Sequence, residues 1–538
     1  MPSKITVEVL DGALAADTEA LAGRQARERV ASRLTAGDPT LWGQAAEAEA
    51  RVRLGWTRLH ETSRPLLAEI DALAAELRAD GVRRVVLAGM GGSSLAPEVI
   101  CATAGADLVV LDTTDPGQVG AALAPGALRH TVLVVSSKSG STVETDSHRR
   151  AFEAAFTAAG IDAGSRIVAV TDPGSPLAEL ATGSGYRRVL TADPTVGGRY
   201  SALTAFGLVP AGLAGVDVAE LLDDAADAAA ALAEDGPDNP ALRLGCALGA
   251  AHGRGAEKIV LAEAGSGIRG LPDWVEQLVA ESTGKDGTGL LPVVVEGAGA
   301  PGFADAGDDA TPVALGSGSG AAAVAVSGPL GGLFLLWEHA TAVAGRLLGI
   351  NPFDQPDVEA AKRAAHELLG APAGGETPLF TAGAIEGHAY GGWLPPGVGT
   401  VDAALRALVA ATPAHGYLAV QAYLDRLEDA SAAVLRPELA RRTGVQVTFG
   451  WGPRFLHSTG QYHKGGHPNG AFLQITGAAA EDLPVPGRPY TFGQLQLAQA
   501  AGDGRVLAAR GRPVLRLHLT DRVAGLAELG HAIQGLNR

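Results

Sequence analysis

Five short runs of Val, Leu and Ile recur between residues 82 and 207, and each ends in Gly, Ser, Thr or Asp. They lie in "VRRVVLAGMGGSSLAPEVI", "DLVVLDTTDPG", "TVLVVSSKSGSTVET", "SRIVAVTDPGSP" and "YRRVLTADPTVGGRYSALTAFG", and helix-like segments separate most of them. A run that is apolar at consecutive positions must be covered on both faces, which is the situation of a parallel strand between two helical layers. The repetition predicts an open, doubly wound α/β domain whose polar loops lie at the carboxyl ends of the strands, where such sheets take ligands. After a Gly/Pro/Asp-rich stretch, "AEDGPDNPALRLG" (233–245), the rhythm resumes in "EKIVLAEAG", "LLPVVVEG" and "AAAVAVSGPLGG", then in "GVQVTFGWG", "GAFLQIT" and "PVLRLHL". These predict a second domain of similar kind over 236–538, with a helical region inside it. The first domain spans 41–235, and 1–40 reads as an N-terminal arm.

A chain of 538 residues is long for one domain, so two or three are expected. Its net charge of −17, with no basic run, excludes a protein that grips nucleic acid by its phosphates but allows a local pocket for a small anion. Two cysteines, Cys101 and Cys246, rule out a disulfide framework and read as buried thiols of a reducing cytoplasm. "MPSKITVEVLDG" lacks the pattern of a signal peptide. The most apolar helix candidate, 328–350, carries Glu338, His339 and Arg346, which are costly in a bilayer; it is expected to be a core helix, with no membrane partner.

"GMGGSS" (89–94) follows the first strand, yet Ser94 stands where a dinucleotide fingerprint needs its third glycine, and there is no G-x-x-x-x-G-K-[ST]. What remains is a turn of backbone N–H groups with Gly92 and Ser93 at a helix start, a ready anion site. "SSKSGST" (136–142) offers a second such turn with Ser137, Lys138, Ser139 and Thr142. The two turns either converge on one phosphate or are simply helix caps. "GGRYSALTAFG" puts Arg199 in a glycine turn where the backbone can approach a ligand. In "LPDWVEQLVAESTGKDGTG", Gln277 and Glu281 are four apart and project from one helix face. "NPFDQPDVEAAK" places Gln355 in a turn and Lys362 about two helical turns on. "FLHSTGQYHKGGHPNG" holds His457, His463 and His467 in a Gly-rich loop with no partner Cys or carboxylate, so no metal is expected.

As a set, "GMGGSSLAPE", "SSKSGST", "GGRYSALTAFGL", "ESTGKDGTG" and "NPFDQPDVEAAK" resemble the motif series of glucose-6-phosphate isomerases. The Ala/Gly-rich style and "HSTGQYHKGG" resemble most the isomerase half of bacterial transaldolase–isomerase fusions. No transaldolase half is expected, because a (β/α)₈ barrel needs about 250 residues. The resemblance implies two sugar-isomerase (SIS) domains, each a doubly wound αβα sandwich, and a homodimer acting on hexose 6-phosphates with no cofactor. It implies that Gly92, Ser93, Ser137, Lys138, Ser139 and Thr142 hold the phosphate, and that Gln277 positions the sugar. Arg199 would stabilise an enediolate, and Glu281 would be the base. Gln355 and Lys362 would lie near the phosphate and ring oxygen, and His457 would be the histidine that opens the ring. One carboxylate can take a proton from one carbon and return it to the next, and the oxyanion formed meanwhile needs a fixed cation. Two departures stand out. The histidine segment follows the "FDQ…K" segment instead of preceding it, and Ala361 replaces a usual Gly. The rival readings are an amino-sugar SIS enzyme, which would need an N-terminal Cys where residue 2 is Pro, and a non-catalytic sugar-phosphate sensor.

Overall fold

A computed structural model describes residues 4–318, 320–369 and 376–536. The segment before residue 80 contributes one strand, β1 (Thr6–Val9), followed by helices and 3-10 turns up to the helix Pro65–Ala79. The five apolar runs then form β2 (Arg84–Gly89), β3 (Val109–Leu111), β4 (Thr131–Ser136), β5 (Ile167–Thr171) and β6 (Arg188–Thr191). They pair in the order β3-β2-β4-β5-β6, parallel throughout. All of β4 and β5 is buried, as runs without alternation require. In this register Gly89 faces Ser136. The two hydroxyl-rich turns therefore leave neighbouring strands at the same level.

The second sheet is built from β7 (Lys258–Ala264), β8 (Leu291–Val295), β9 (Ala310–Gly316) and β10 (Val324–Ser327), in the order β1-β10-β9-β7-β8. Its edge is β1, antiparallel to β10 with Thr6 opposite Ser327. The first strand of the expected arm is thus a working part of this sheet.

The later strand runs do not extend that sheet, as the sequence led us to expect, but form a third one. It contains β11 (Phe380–Ala382), β12 (Ile385–Tyr390), β13 (Tyr417–Tyr423), β14 (Gln446–Trp451), β15 (Gly470–Gly477) and β16 (Val514–Leu519), in the order β11-β12-β16-β15-β13-β14. It is parallel from β16 to β14, with β12 and β11 antiparallel at one side. On one face Leu418, Val420, Leu473 and Leu517 pack under helices carrying Leu405, Leu435 and Leu529. On the other, Tyr417, Phe472 and Val514 share a cluster with Val260, Leu291 and Phe303 of the second sheet's unit. Each such fully buried Val, Leu or Phe contributes roughly 1.5–3 kcal/mol. The third sheet is held against the second by this shared apolar layer.

The apolar helix Leu330–Leu348 is buried from Leu330 to Gly345, Glu338 and His339 included. Burial raises the Glu338 carboxyl well above its usual range and lowers His339 to about 4, disfavouring the charged form of each. No described helix is long and apolar enough to cross a membrane. Cys101 and Cys246 are buried free thiols, pushed up to about 12 by desolvation.

Candidate active site

β4 ends at Ser136 and the helix Val143–Ala158 begins after Thr142. Thr142 is the N-cap residue, yet its hydroxyl makes no capping hydrogen bond. It lies 3.0 Å from Ser137 Oγ, which also accepts from the N–H of Gly140 at 3.1 Å. Ser139 Oγ and Ser141 Oγ pair at 2.8 Å. Among the described residues, the backbone N–H groups of Lys138, Ser139 and Thr142 have no protein partner. Hydroxyls not spent on caps, unpaired N–H groups and a helix N-terminus together suit a phosphate. Lys138 differs from the expected picture: its ammonium is 2.6 Å from Asp172 Oδ2. Replacing Ser137 and Thr142 together by Ala is expected to raise KM for a hexose 6-phosphate at least tenfold, since each hydrogen bond to a charged group is worth about 1.5–3 kcal/mol. An unchanged KM would return these hydroxyls to a structural role.

The neighbouring "GMGGSS" turn carries Ser93, whose hydroxyl has no protein partner among the described residues. Gly91 has φ +56°, and a Cβ there would sit 2.7 Å from both Gln277 Nε2 and the His457 carbonyl. A Cβ on Gly92 would come within 1.9 Å of the Gly198 carbonyl, so this turn and the one bearing Arg199 touch backbone to backbone. Gly92→Ala is expected to lower kcat/KM by about 10²-fold through displacement of Arg199, with the far-UV circular dichroism unchanged. Native kinetics in that variant would refute the contact's importance.

Gln277 and Glu281 stand on the helix Leu271–Thr283, whose stripe of Leu271, Trp274, Val275, Leu278 and Val279 is buried. Glu281 Oε2 accepts from Arg199 Nε at 3.1 Å, and both side chains are under a tenth exposed. Burial raises the Glu281 carboxyl; Arg199, Gln277 and His457 oppose that rise. Arg199 is held in place by the carbonyls of Glu281 (2.9 Å) and Pro352 (3.0 Å), and donates to Gln355 Oε1 at 2.8 Å. Gln277 Nε2 donates to the His457 carbonyl at 2.9 Å and lies 3.5 Å from Glu281 Oε1. Its buried Oε1 has no protein partner among the described residues, and so remains able to accept from a sugar hydroxyl.

His457 closes the 3-10 turn Arg454–His457, which follows β14 of the third sheet. Its Nε2 is 3.1 Å from Glu144 Oε1, in the first turn of the helix that follows the hydroxyl-rich turn 136–142. The segment out of order in sequence therefore reaches the cleft within the same chain. Gln461 fastens it there, donating to the Gly284 carbonyl at 2.9 Å and to Asp357 Oδ2 at 2.8 Å. Arg454 reaches Glu98 Oε2 and Asp112 Oδ2 of the first sheet's unit at 2.5 and 3.0 Å, and Arg522 reaches Asp115 at 2.7 Å. His463 instead faces Tyr417 Oη at 3.0 Å inside the third sheet's packing, and His467 meets His252 at 3.4 Å. The side chain of Lys362 lies outside the described residues.

Sequence reasoning missed Glu144, Lys285 and Asp354, although all three lie inside stretches quoted above. Lys285 Nζ binds the Asn351 and Asp354 carbonyls, both at 2.7 Å, and Asp354 Oδ1 at 2.6 Å, pinning the turn that presents Gln355. Burial, reinforced by Arg199 and opposed by Asp354, lowers its ammonium to about 8. A glutamate in a helix's first turn is ordinary and carried no signal by itself. A hollow of about 590 Å³ beside Gly383, Asp402 and Glu528 contains none of these groups.

A model of the phosphoglucose isomerase family matches residues 63–310. A glucose-6-phosphate isomerase of Rubrobacter xylanophilus is 32% identical over 391 residues, covering 59% of this chain and 89% of that protein. The chain belongs to the phosphoglucose isomerase family. A probable glucose-6-phosphate isomerase of Haloquadratum walsbyi is 35% identical over 218 residues, 40% of this chain and half of that protein. The crystal structure of a glucose-6-phosphate isomerase from Chlamydia trachomatis shares the fold, with a TM-score of 0.54 and 20% identity over 68% of this chain and 88% of that one. The family match ends before the third sheet, which supplies His457.

Proposed function

We propose that this chain interconverts glucose 6-phosphate and fructose 6-phosphate through a cis-enediol(ate), with the parts described above in distinct roles. The observation that carries the reading is the buried Glu281–Arg199 pair, linked through Gln277 to His457 and so to Glu144 behind the phosphate turn. The phosphate sits on the N–H groups and hydroxyls of 137–142, with Ser93 beside it. His457 exchanges a proton with the ring oxygen, assisted by Lys362, and the hexose opens. Glu281 then takes the proton from C2 of the aldose and returns it to C1, while a hydroxyl proton moves between O1 and O2. Arg199 balances the charge that builds on oxygen in between, and Gln277 and Gln355 keep the chain of carbons in line. The net change is a proton shift, so the chemistry itself calls for no redox cofactor. Family membership also supports a homodimer in the cytoplasm as part of this reading. Incubating the protein with fructose 6-phosphate and following glucose 6-phosphate tests it directly. Turnover is expected. Conversion of amino-sugar phosphates alone, or binding without conversion, would overturn it.

A further inference from the structure

Gln499 lies on the helix Phe492–Ala509, which packs on the third sheet, and is 3% exposed. Its Nε2 donates to Glu144 Oε1 at 2.6 Å, and its Oε1 accepts from the buried Thr114 hydroxyl at 2.8 Å. The Glu144 carboxylate, which only accepts, settles which way round the amide stands, because the flipped amide would set a carbonyl oxygen against it; the Thr114 hydroxyl then donates to the amide oxygen. One oxygen of Glu144 thus receives two donors, Gln499 Nε2 and His457 Nε2. Both donors come from the segment beyond residue 376, and they are far apart in sequence. The carboxylate and Thr114 come from the first sheet's unit. We propose that Gln499 is a positioning residue for the isomerisation, acting through Glu144 on His457, an inference that rests on the role given to His457 above.

The physical effect has two parts. A carboxylate with a second fixed donor keeps one rotamer, so it always meets the same imidazole nitrogen; that nitrogen carries the proton, and Nδ1 is left to work as the base. The amide also draws charge from the carboxylate. Without it, Glu144 would attract an imidazolium more strongly and His457 would hold its proton to higher pH. Among the described residues, the titratable groups that act on this pair include Glu281 beside His457, and His148 and Tyr423 beside Glu144; none of them is altered in the test variants.

Gln499→Met keeps the side chain's length and apolar bulk and removes the donor. In the whole protein, KM for fructose 6-phosphate is expected to stay within about twofold while kcat falls on the order of tenfold. The ¹⁵N imidazole signals of His457, assigned by their loss in His457→Ala, should titrate at higher pH than in the unaltered protein. Adding Gln499→Met to Glu144→Gln should cost nothing further, because both changes act on the same contact. The proposal is overturned if the His457 midpoint stays where it was, or if the two losses add in full. Should Gln499→Met misfold, Thr114→Val reads the same contact from the other end, with a smaller shift in the same direction; no shift there refutes the role. A chain that leaves fructose 6-phosphate unconverted would defeat the proposed function, while the imidazole midpoint would still decide the part of Gln499.

Discussion

Glu281→Gln is expected to abolish isomerisation while leaving binding of the hexose phosphate nearly intact. The amide keeps the size of the side chain and its contact with Gln277, but it cannot take a proton from carbon. Loss of a positioned base typically costs ~10²–10⁴ in rate. The pH profile adds a sharper test. Burial raises this carboxyl above the usual carboxylate range, and the base must be ionised to act. Activity of the unaltered protein should therefore fall, as pH drops, at a higher pH than free glutamate would dictate. In the variant that acid limb should vanish along with the rate. Full turnover by Glu281→Gln would remove Glu281 from the mechanism.

The second large effect is expected at His457. His457→Ala should reduce turnover of the cyclic sugar by ~10²–10⁴, the usual contribution of a positioned acid or base. Proton exchange between solvent and carbon in an open-chain substrate should suffer much less, because ring opening also proceeds slowly in water and Glu281 is untouched. The division follows from the geometry: Glu281 is paired with Arg199, whereas His457 is paired with Glu144 next to the turn 137–142. Equal losses on cyclic and open-chain substrates would mean that the imidazole takes part in the carbon chemistry or only supports the fold.

Much of this site is legible in the amino-acid sequence. Ser137, Thr142, Arg199, Gln277 and Glu281 each sit in a short motif whose local geometry is dictated by neighbouring residues, such as the four-residue spacing of Gln277 and Glu281 on one helix. Glu144 is not legible there. Its place in the cleft comes from a histidine 313 positions away, and nothing around it in sequence marks it. Lys138 shows the opposite limit: the motif is plain, but the direction of its side chain depends on Asp172, at the end of the next strand. The same distinction governs the sheets. Apolar runs announce strands, but the runs in "EKIVLAEAG" and "GAFLQIT" carry no mark of which sheet each will join.

What the sequence alone determined, then, was the α/β class, the parallel sheet of the first half, the two hydroxyl-rich turns at its strand ends and the family. All of these rest on local patterns: runs without alternation, glycine turns, and residues a helical turn apart. Only the tertiary structure decided that the last third of the chain builds a separate sheet, that β1 edges the second one, and that His457 returns to the cleft from beyond residue 450. Strand pairing and side-chain meetings across hundreds of residues depend on which apolar faces are left to be covered once local elements have formed. Here the face bearing Tyr417 and Phe472 was covered by the second sheet, and that docking brought His457 to Glu144.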